Sequence, residues 1–157
     1  MHQFDLKNRT AIITGGAQGF GLDIAKRFLK SGAKAIIWDI DEVELKKATK
    51  EVNDPNLLYN VVDVSSFKNV KETVDEIAKS SNIDILINNA GITGSTSSLW
   101  DYDVDEWNKI VQINLMGTFN CCKCVVPYMI KNDYGRIVNV ASVAGKDGNA
   151  NASAYSS

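Results

Sequence analysis

The sequence predicts a doubly wound α/β fold, a three-layer arrangement in which helices cover both faces of a parallel sheet. Short apolar runs alternate with longer stretches of helical periodicity along the chain. The apolar runs show no strict alternation with polar residues, as expected of strands that are covered on both faces. Right-handed crossovers between such strands place helices on both sides of the sheet.

Five strands and four long helices are predicted. The strands lie at 10–14, 35–39, 57–62, 83–88 and 136–142. A helix over 104–131 contains Pro127, and we expect a kink there because proline has no backbone N–H. The three other helices follow from apolar residues at helical spacing, clear in two sets and weaker in the third: Ile24, Ala25, Phe28 and Leu29; Phe67, Val70, Val74 and Ile77; Leu45, Ala48 and Val52.

Composition excludes several classes of function. The 17 Lys and Arg residues against 19 Asp and Glu form no basic stripe, so we expect no nucleic-acid partner. No apolar run approaches the ~18 residues of a membrane span, and the amino-terminal residues do not read as a signal peptide. These features predict a cytoplasmic protein of one domain, spanning residues 1–157, that binds no membrane.

A cluster of three cysteines does not predict a metal site. Cys121, Cys122 and Cys124 lie in a helical stretch, so neighbouring side chains point in different directions. A zinc site usually adds a distant second pair of cysteines or histidines, and His2 is the only histidine. We interpret the cysteines as small apolar side chains.

The first strand runs directly into the segment TGGAQGFG, residues 14–21. Gly15 permits a tight turn, Gly19 lets the backbone approach a pyrophosphate, and Gly21 lets the following helix pack closely. The phosphates would meet the helix N-terminus, where free N–H groups and the helix dipole favour anions. No Gly-Lys-Ser/Thr follows, so this is not a P-loop, but a methyltransferase-type adenosine pocket stays open on this loop alone.

Asp39 ends the second strand, about twenty residues beyond the loop, where a carboxylate can accept both ribose hydroxyls and repel a 2′-phosphate. Neither Gln18 nor Ile40 supplies a positive charge for that phosphate. NAD is therefore favoured over NADP. The alternative is that Asp39 only caps the helix that begins near Asp41.

Further motifs follow in a fixed order: DV at 63–64, NNAG at 88–91, Asn114 within QINLMGTF, and Ser142 within NVASVAG, with Tyr155 thirteen residues later. Together with the glycine loop, this set resembles the short-chain dehydrogenase/reductase family, especially its 3-oxoacyl-(acyl-carrier-protein) reductase-like members. The resemblance covers the whole chain in order, removes the methyltransferase alternative, and implies a Rossmann fold.

The resemblance also implies a role for each motif. Gly15, Gln18, Gly19, Phe20 and Gly21 would line the pyrophosphate. Asp39 and Ile40 would border the adenosine ribose, Asp63 and Val64 the adenine, and Asn89, Ala90 and Gly91 would pass beneath the ribose. Asn88 would tie neighbouring strands. Ser142 would hydrogen-bond the substrate oxygen, Tyr155 would exchange the proton, and Asn114 would seat a water of the proton relay.

The family's catalytic lysine, four residues after the tyrosine, has no counterpart here. Lys131 and Lys146 do not have the spacing to stand one helical turn from Tyr155. A free phenol has a pKa near ~10, so a cation is needed to make it a base at neutral pH. We therefore expect the amino-terminal part of a longer enzyme, truncated after the fifth strand and inactive by itself, whose parent is a homodimer or homotetramer.

Three functions stay open. The leading one is an NAD-dependent oxidoreductase that transfers hydride between a nicotinamide cofactor and a small alcohol or ketone, with a sugar or polyol among the possible substrates. The second is an NADPH-linked 3-oxoacyl-(acyl-carrier-protein) reductase of fatty-acid synthesis, against which Asp39 argues. The third is a dinucleotide-binding module without catalysis.

Overall fold

The computed structural model describes residues 4–157, so His2 lies outside the described part. The five strands are β1 (Thr10–Thr14), β2 (Lys34–Asp39), β3 (Leu57–Val61), β4 (Ile85–Asn88) and β5 (Arg136–Asn139). The helices are α1 (Gly19–Lys30), α2 (Glu42–Val52), α3 (Phe67–Ser80), α4 (Val104–Val111), α5 (Gly117–Lys131), α6 (Ala144–Asp147) and α7 (Ser153–Ser156).

The strands form one parallel sheet in the order β3-β2-β1-β4-β5. In the central pair, Thr14 lies opposite Trp38, and Ile13 lies opposite Ile87 on the other side. The strand order reverses between β1 and β4, so the carboxyl ends of these two strands diverge into a crevice. The predicted doubly wound fold is confirmed, and the topology places the glycine loop and the NNAG segment on either side of this switch point.

Strand β3 is one residue shorter than the sequence predicted, and β4 and β5 differ by more. β4 begins at Ile85 rather than at residue 83, because the Asp84 side chain is hydrogen-bonded to Arg9 and to the backbone N–H of Thr10 at the amino edge of the sheet. β5 ends at Asn139 rather than at residue 142, because the chain turns there and the Ser142 hydroxyl accepts from the Ala144 N–H. The segment that carries Ser142 is therefore a loop.

The predicted long helix over 104–131 is interrupted. A π-helical turn, Gln112–Met116, joins α4 to α5. The deviation from α-helical geometry therefore lies around Asn114, whereas Pro127 lies inside α5. Single π turns inside helices are frequent at functional sites.

Helix beginnings are set by local side chains. Asp41 accepts from the backbone N–H groups of Val43 and Glu44 and so caps α2, while Ser66 and Asp103 cap α3 and α4 in the same manner. Helix α1 differs, because its N-cap Gln18 makes no capping hydrogen bond through its side chain. The first-turn N–H groups of α1 are thus left without a side-chain acceptor.

The sheet separates two apolar layers. Helices α3 and α5 pack on one face, around residues such as Trp38, Val74 and Val125, and helices α1 and α2 pack on the other, around Ile37 and Leu45. Cys121 and Cys124 lie in the first layer and are buried, while Cys122 is half-buried. Within residues 4–157, no three His, Cys, Asp or Glu side chains lie together in a group that could hold a metal ion.

Burial of Cys121 predicts a pH dependence of stability. Desolvation raises the pKa of its thiol from 9.0 to about 12. Below pH 9.0 the thiol is protonated in both the folded and the unfolded chain, so it adds no pH dependence. Between 9.0 and about 12 only the unfolded chain ionises, and the folded state loses stability as the pH rises.

We therefore expect the stability advantage of the wild-type chain over Cys121→Ala to shrink by about 1 kcal/mol between about pH 8 and about pH 10. Urea unfolding of both chains under reducing conditions measures this gap, and taking the difference cancels the titration of tyrosines and lysines. A gap that stays constant over this range contradicts the prediction.

Candidate active site

The glycine loop leaves β1 in a conformation that two of its glycines make possible. Gly15 and Gly19 have positive φ values of 61° and 54°, which side chains with a Cβ rarely adopt. No atom lies within 4 Å of the position where Gly19 would carry a Cβ, so the backbone is open to a ligand on that side. An added Cβ on Gly21 would lie 2.1 Å from the carbonyl oxygen of Gly15, so α1 starts directly against the turn.

Thr14 and Asn89 lock this loop to the end of β4. The buried Thr14 hydroxyl accepts from the backbone N–H groups of Asn89 (3.0 Å) and Ala90 (2.9 Å). In return, the Asn89 amide donates to the carbonyl oxygens of Thr14 (3.0 Å) and Gly15 (3.1 Å). The two loops that flank the crevice are thereby held as one unit.

Asp39 is anchored at the end of β2 without capping α2. Its carboxylate accepts from the backbone N–H groups of Ala17 (3.3 Å) and Asp41 (3.2 Å). The cap of α2 is Asp41, so the alternative in which Asp39 only caps this helix is wrong. The carboxylate of Asp39 is half-buried, lies beside the glycine loop and lines a cavity.

That cavity, of about 330 Å³, lies over the carboxyl ends of β2, β3 and β4. We call it the diol cavity, because Asp39, which is predicted to accept from the two ribose hydroxyls, lines it. Its floor includes the end of β3, where Asp63 Oδ1 accepts from Ser65 and where the buried Asn120 amide on α5 donates to the carbonyl oxygen of Val64. The predicted residues that line it are Gly15, Gln18, Asp39, Ile40, Asp63, Val64, Asn89, Ala90 and Gly91.

A second cavity, of about 590 Å³, adjoins the first and holds the remaining polar candidates. We call it the tyrosine cleft. Asn114, Ser142 and Tyr155 all line it, although they come from a π turn, a loop and the short helix α7. Phe20 lines it from the glycine loop, with its side chain 80% exposed. Both cavities share the wall 89–92, so one elongated molecule could extend from Asp39 to Tyr155.

The Asn114 side chain is bound to both backbone groups of Ile92. Its amide oxygen accepts from the Ile92 N–H, and its amide nitrogen donates to the Ile92 carbonyl, both at 2.9 Å. The carbonyl oxygen of Asn114 accepts from the Thr118 hydroxyl at 3.0 Å.

Asn88 ties two strands, as predicted. Its amide donates to Asn139 Oδ1 at 2.9 Å, across the register pair that joins β4 to β5. Two predicted loop residues, Gly19 and Gly21, line neither the diol cavity nor the tyrosine cleft. Gly21 instead permits the contact between α1 and the turn.

Sequence reasoning missed several residues that shape the site. Trp38 and Val62 line the diol cavity and directly precede Asp39 and Asp63, so their strand-end positions were a usable signal. Thr14 opens the glycine motif but its locking role depends on Asn89, 75 residues away. Ile92 and Ile113 carried no signal, because only the packing of the π turn brings them to the cavity.

The family model described as short chain dehydrogenase matches residues 9–157. The chain belongs to the short-chain dehydrogenase family. It is 44% identical to 2-dehydro-3-deoxy-L-rhamnonate dehydrogenase (NAD(+)) of Sphingomonas sp., over 94% of this chain and 59% of that protein. It is 39% identical to 3-oxoacyl-(acyl-carrier-protein) reductase FabG of Thermotoga maritima, over 96% of this chain and 62% of that protein.

Two solved structures, one with NAD+ and one with NADPH, resemble the chain to a similar degree. An NAD+-bound xylitol dehydrogenase superposes with a TM-score of 0.91 at 35% identity, over 96% of this chain and 59% of that one. An actinorhodin polyketide ketoreductase with NADPH superposes with a TM-score of 0.89 at 31% identity, over 95% of this chain and 59% of that one. The chain thus spans about three fifths of the length of the relatives it matches.

Among residues 4–157, no helix combines the length and the apolarity that crossing a bilayer requires.

Two glycine substitutions separate backbone strain from steric contact in the loop. Gly19→Ala meets no neighbouring atom, so we expect only the cost of a positive φ, about 1 kcal/mol. Gly21→Ala drives a methyl group into the Gly15 carbonyl, and we expect a cost of about 3 kcal/mol. Urea unfolding of both variants measures the difference. Equal losses of stability would show that the contact between α1 and the turn is not as tight as described.

Proposed function

We propose that this chain forms the cofactor-binding part of an NAD-dependent oxidoreductase that interconverts a small alcohol and the corresponding ketone. The observation that carries the proposal is the pair of adjoining cavities with a shared wall. One ends on a carboxylate suited to a ribose diol, and the other ends on a serine and a tyrosine suited to a carbonyl oxygen.

Residues in and beside the diol cavity would suit a dinucleotide. The first-turn N–H groups of α1 have no side-chain acceptor, and the open backbone at Gly19 leaves room for an anion beside them. Gly15, Gln18 and Phe20 would flank the same phosphates. Asp39 would accept from the ribose hydroxyls.

The remaining contacts would hold the two ends of the cofactor. Asp63 and Val64 would border the adenine, with Ile40 at the rim of the cavity. Asn89, Ala90 and Gly91 would support the second ribose from the shared wall. The nicotinamide supplies the hydride acceptor or donor.

The protein's own chemistry would be proton transfer. Ser142 would donate a hydrogen bond to the substrate oxygen and hold it near Tyr155. The Tyr155 hydroxyl would take the proton from an alcohol or return it to a ketone oxygen. Asn114 would hold a water of the proton relay and so connect the tyrosine to solvent.

A specific observation favours NAD over NADP. The Asp39 carboxylate is held in place by two backbone N–H groups, so it cannot easily swing away from a 2′-phosphate. A relative that is 44% identical carries NAD(+) in its name, which supports the same choice. The sugar-acid and polyol names among the relatives support a polyhydroxylated substrate.

The second candidate is an NADPH-linked 3-oxoacyl-(acyl-carrier-protein) reductase, which the relative from Thermotoga maritima supports. A third is a dinucleotide-binding module without catalysis.

We place the whole enzyme in the cytoplasm as a homodimer or homotetramer. Exposed apolar side chains on α5 and β5, among them Phe119, Ile130 and Val138, support association.

Catalysis by these 157 residues alone is expected to be absent. No lysine stands one helical turn after Tyr155 in this sequence, so the cation that would stabilise a phenolate is missing. We expect the 157-residue chain, with its length verified by mass spectrometry, to bind NADH. The same chain should not oxidise xylitol or other polyols in the presence of NAD. Measurable reduction of NAD that disappears in Tyr155→Phe would contradict this.

The cofactor proposal is tested by titrating the chain with NADH and NADPH and following nucleotide fluorescence. We expect tighter binding of NADH, and Asp39→Ala should narrow the preference by about tenfold, since a lost charge-assisted hydrogen bond is worth about 1.5 kcal/mol. Asp23→Ala serves as the control, because it removes an exposed carboxylate from α1. Equal narrowing by both variants, or tighter binding of NADPH by the wild type, would overturn the choice of NAD.

A further inference from the structure

Tyr155 lies on helix α7, Ser153–Ser156, and lines the tyrosine cleft. The position of the Tyr155 hydroxyl depends on the elements against which α7 packs.

Helices α4 and α6 both contact α7, and the buried apolar contacts come from α4 and from Tyr102 just before it. The buried Ala154 of α7 packs with Tyr102 and Ile110, and Trp107 lies against the same cluster. The Trp107 indole N–H donates to the Ser153 hydroxyl at 3.3 Å, across 46 residues of sequence. One side chain of α4 thus makes both an apolar contact and a hydrogen bond beside Tyr155.

The same helix leads into the π turn that holds Asn114. The Asn114 side chain is hydrogen-bonded to both backbone groups of Ile92, and Ile92 packs against the cluster that contains Ala154. The π turn, through Ile92, and α7, through Ala154, therefore both contact one apolar cluster.

The neighbouring loop reinforces this arrangement. Glu106, next to Trp107, accepts from the backbone N–H of Ser95, and the Tyr102 hydroxyl donates to the Ser95 carbonyl. Ser97 donates its N–H to the Asn151 carbonyl, just before α7. None of these hydrogen bonds involves the Trp107 side chain. A substitution of Trp107 should therefore leave the loop around Ser95 and Ser97 in place.

We propose that Trp107 is a positioning residue for Tyr155: its hydrogen bond to Ser153 and its packing beside Ala154 fix the tyrosine hydroxyl relative to Asn114. This inference rests on the proton-transfer role proposed above for Tyr155. Trp107 itself lines neither cavity and is not expected to touch the cofactor or the substrate.

The test uses the 157-residue chain labelled with fluorotyrosine, in which the fluorine resonance of Tyr155 is assigned by its loss in Tyr155→Phe. Trp107→Phe removes the indole N–H and keeps an aromatic ring, while Ser153→Ala removes the acceptor from the other side. We expect each to shift the Tyr155 resonance towards that of free fluorotyrosine, and the double variant to shift it no further.

Two controls separate positioning from general loosening. Ser153→Thr keeps the hydroxyl and should retain the wild-type resonance, and Trp100→Phe changes a tryptophan that is 86% exposed and should do the same. NADH affinity should be unchanged in all variants. Should Trp107→Phe fail to fold, Ser153→Ala decides alone, since it alters no large apolar side chain.

The proposal is overturned if Ser153→Ala leaves the Tyr155 resonance in its wild-type position, or if the shifts of the two single variants add in the double variant. Failure of the proposed function looks different: the wild-type chain would then not bind NADH, while the dependence of the Tyr155 resonance on Ser153 would persist.

Discussion

The hydrogen bonds between Thr14 and Asn89 hold together the two loops on which the site depends. In a parallel sheet, a switch in strand order leaves a crevice between neighbouring strand ends, and its walls are loops that the sheet ladder does not fix. Here the Thr14 hydroxyl accepts from the backbone N–H of Asn89, and the Asn89 side-chain amide donates to the backbone carbonyl of Thr14. Because these groups are buried or half-buried, an unmade bond would carry a desolvation cost as well. These hydrogen bonds tie the two walls of the crevice to each other.

The helix that runs through α4, the π turn and α5 organises the other half of the site. Its α5 part supports the loop at Val64 through Asn120, and its π turn holds Ile92 through Asn114. The extra residue of a π turn reorients the backbone locally without ending the helix. One continuous element can therefore serve both the diol cavity and the tyrosine cleft, which lie on different sides of the shared wall.

Two parts of the fold are left open, the start of α1 and the strand β5. Helices α2, α3 and α4 are capped by their own side chains, whereas α1 presents uncapped N–H groups beside the open backbone of Gly19. The strand β5 is exposed along its whole length, with apolar residues such as Val138 half-covered. An uncapped helix N-terminus favours anions, and an uncovered edge strand favours association with another strand.

The sequence by itself determined the parallel α/β fold, the glycine loop and the strand-end acid Asp39, because each depends on local periodicity or on short spacing within one strand–turn–helix unit. It did not determine where β4 begins or where β5 ends, that Asp41 rather than Asp39 caps α2, or that a π turn interrupts the long helix around Asn114. Only the tertiary structure decided these features and the Trp107–Ser153 contact. The physical reason is that they arise from hydrogen bonds and packing between residues far apart in the chain, or from competition between neighbouring caps that periodicity does not register.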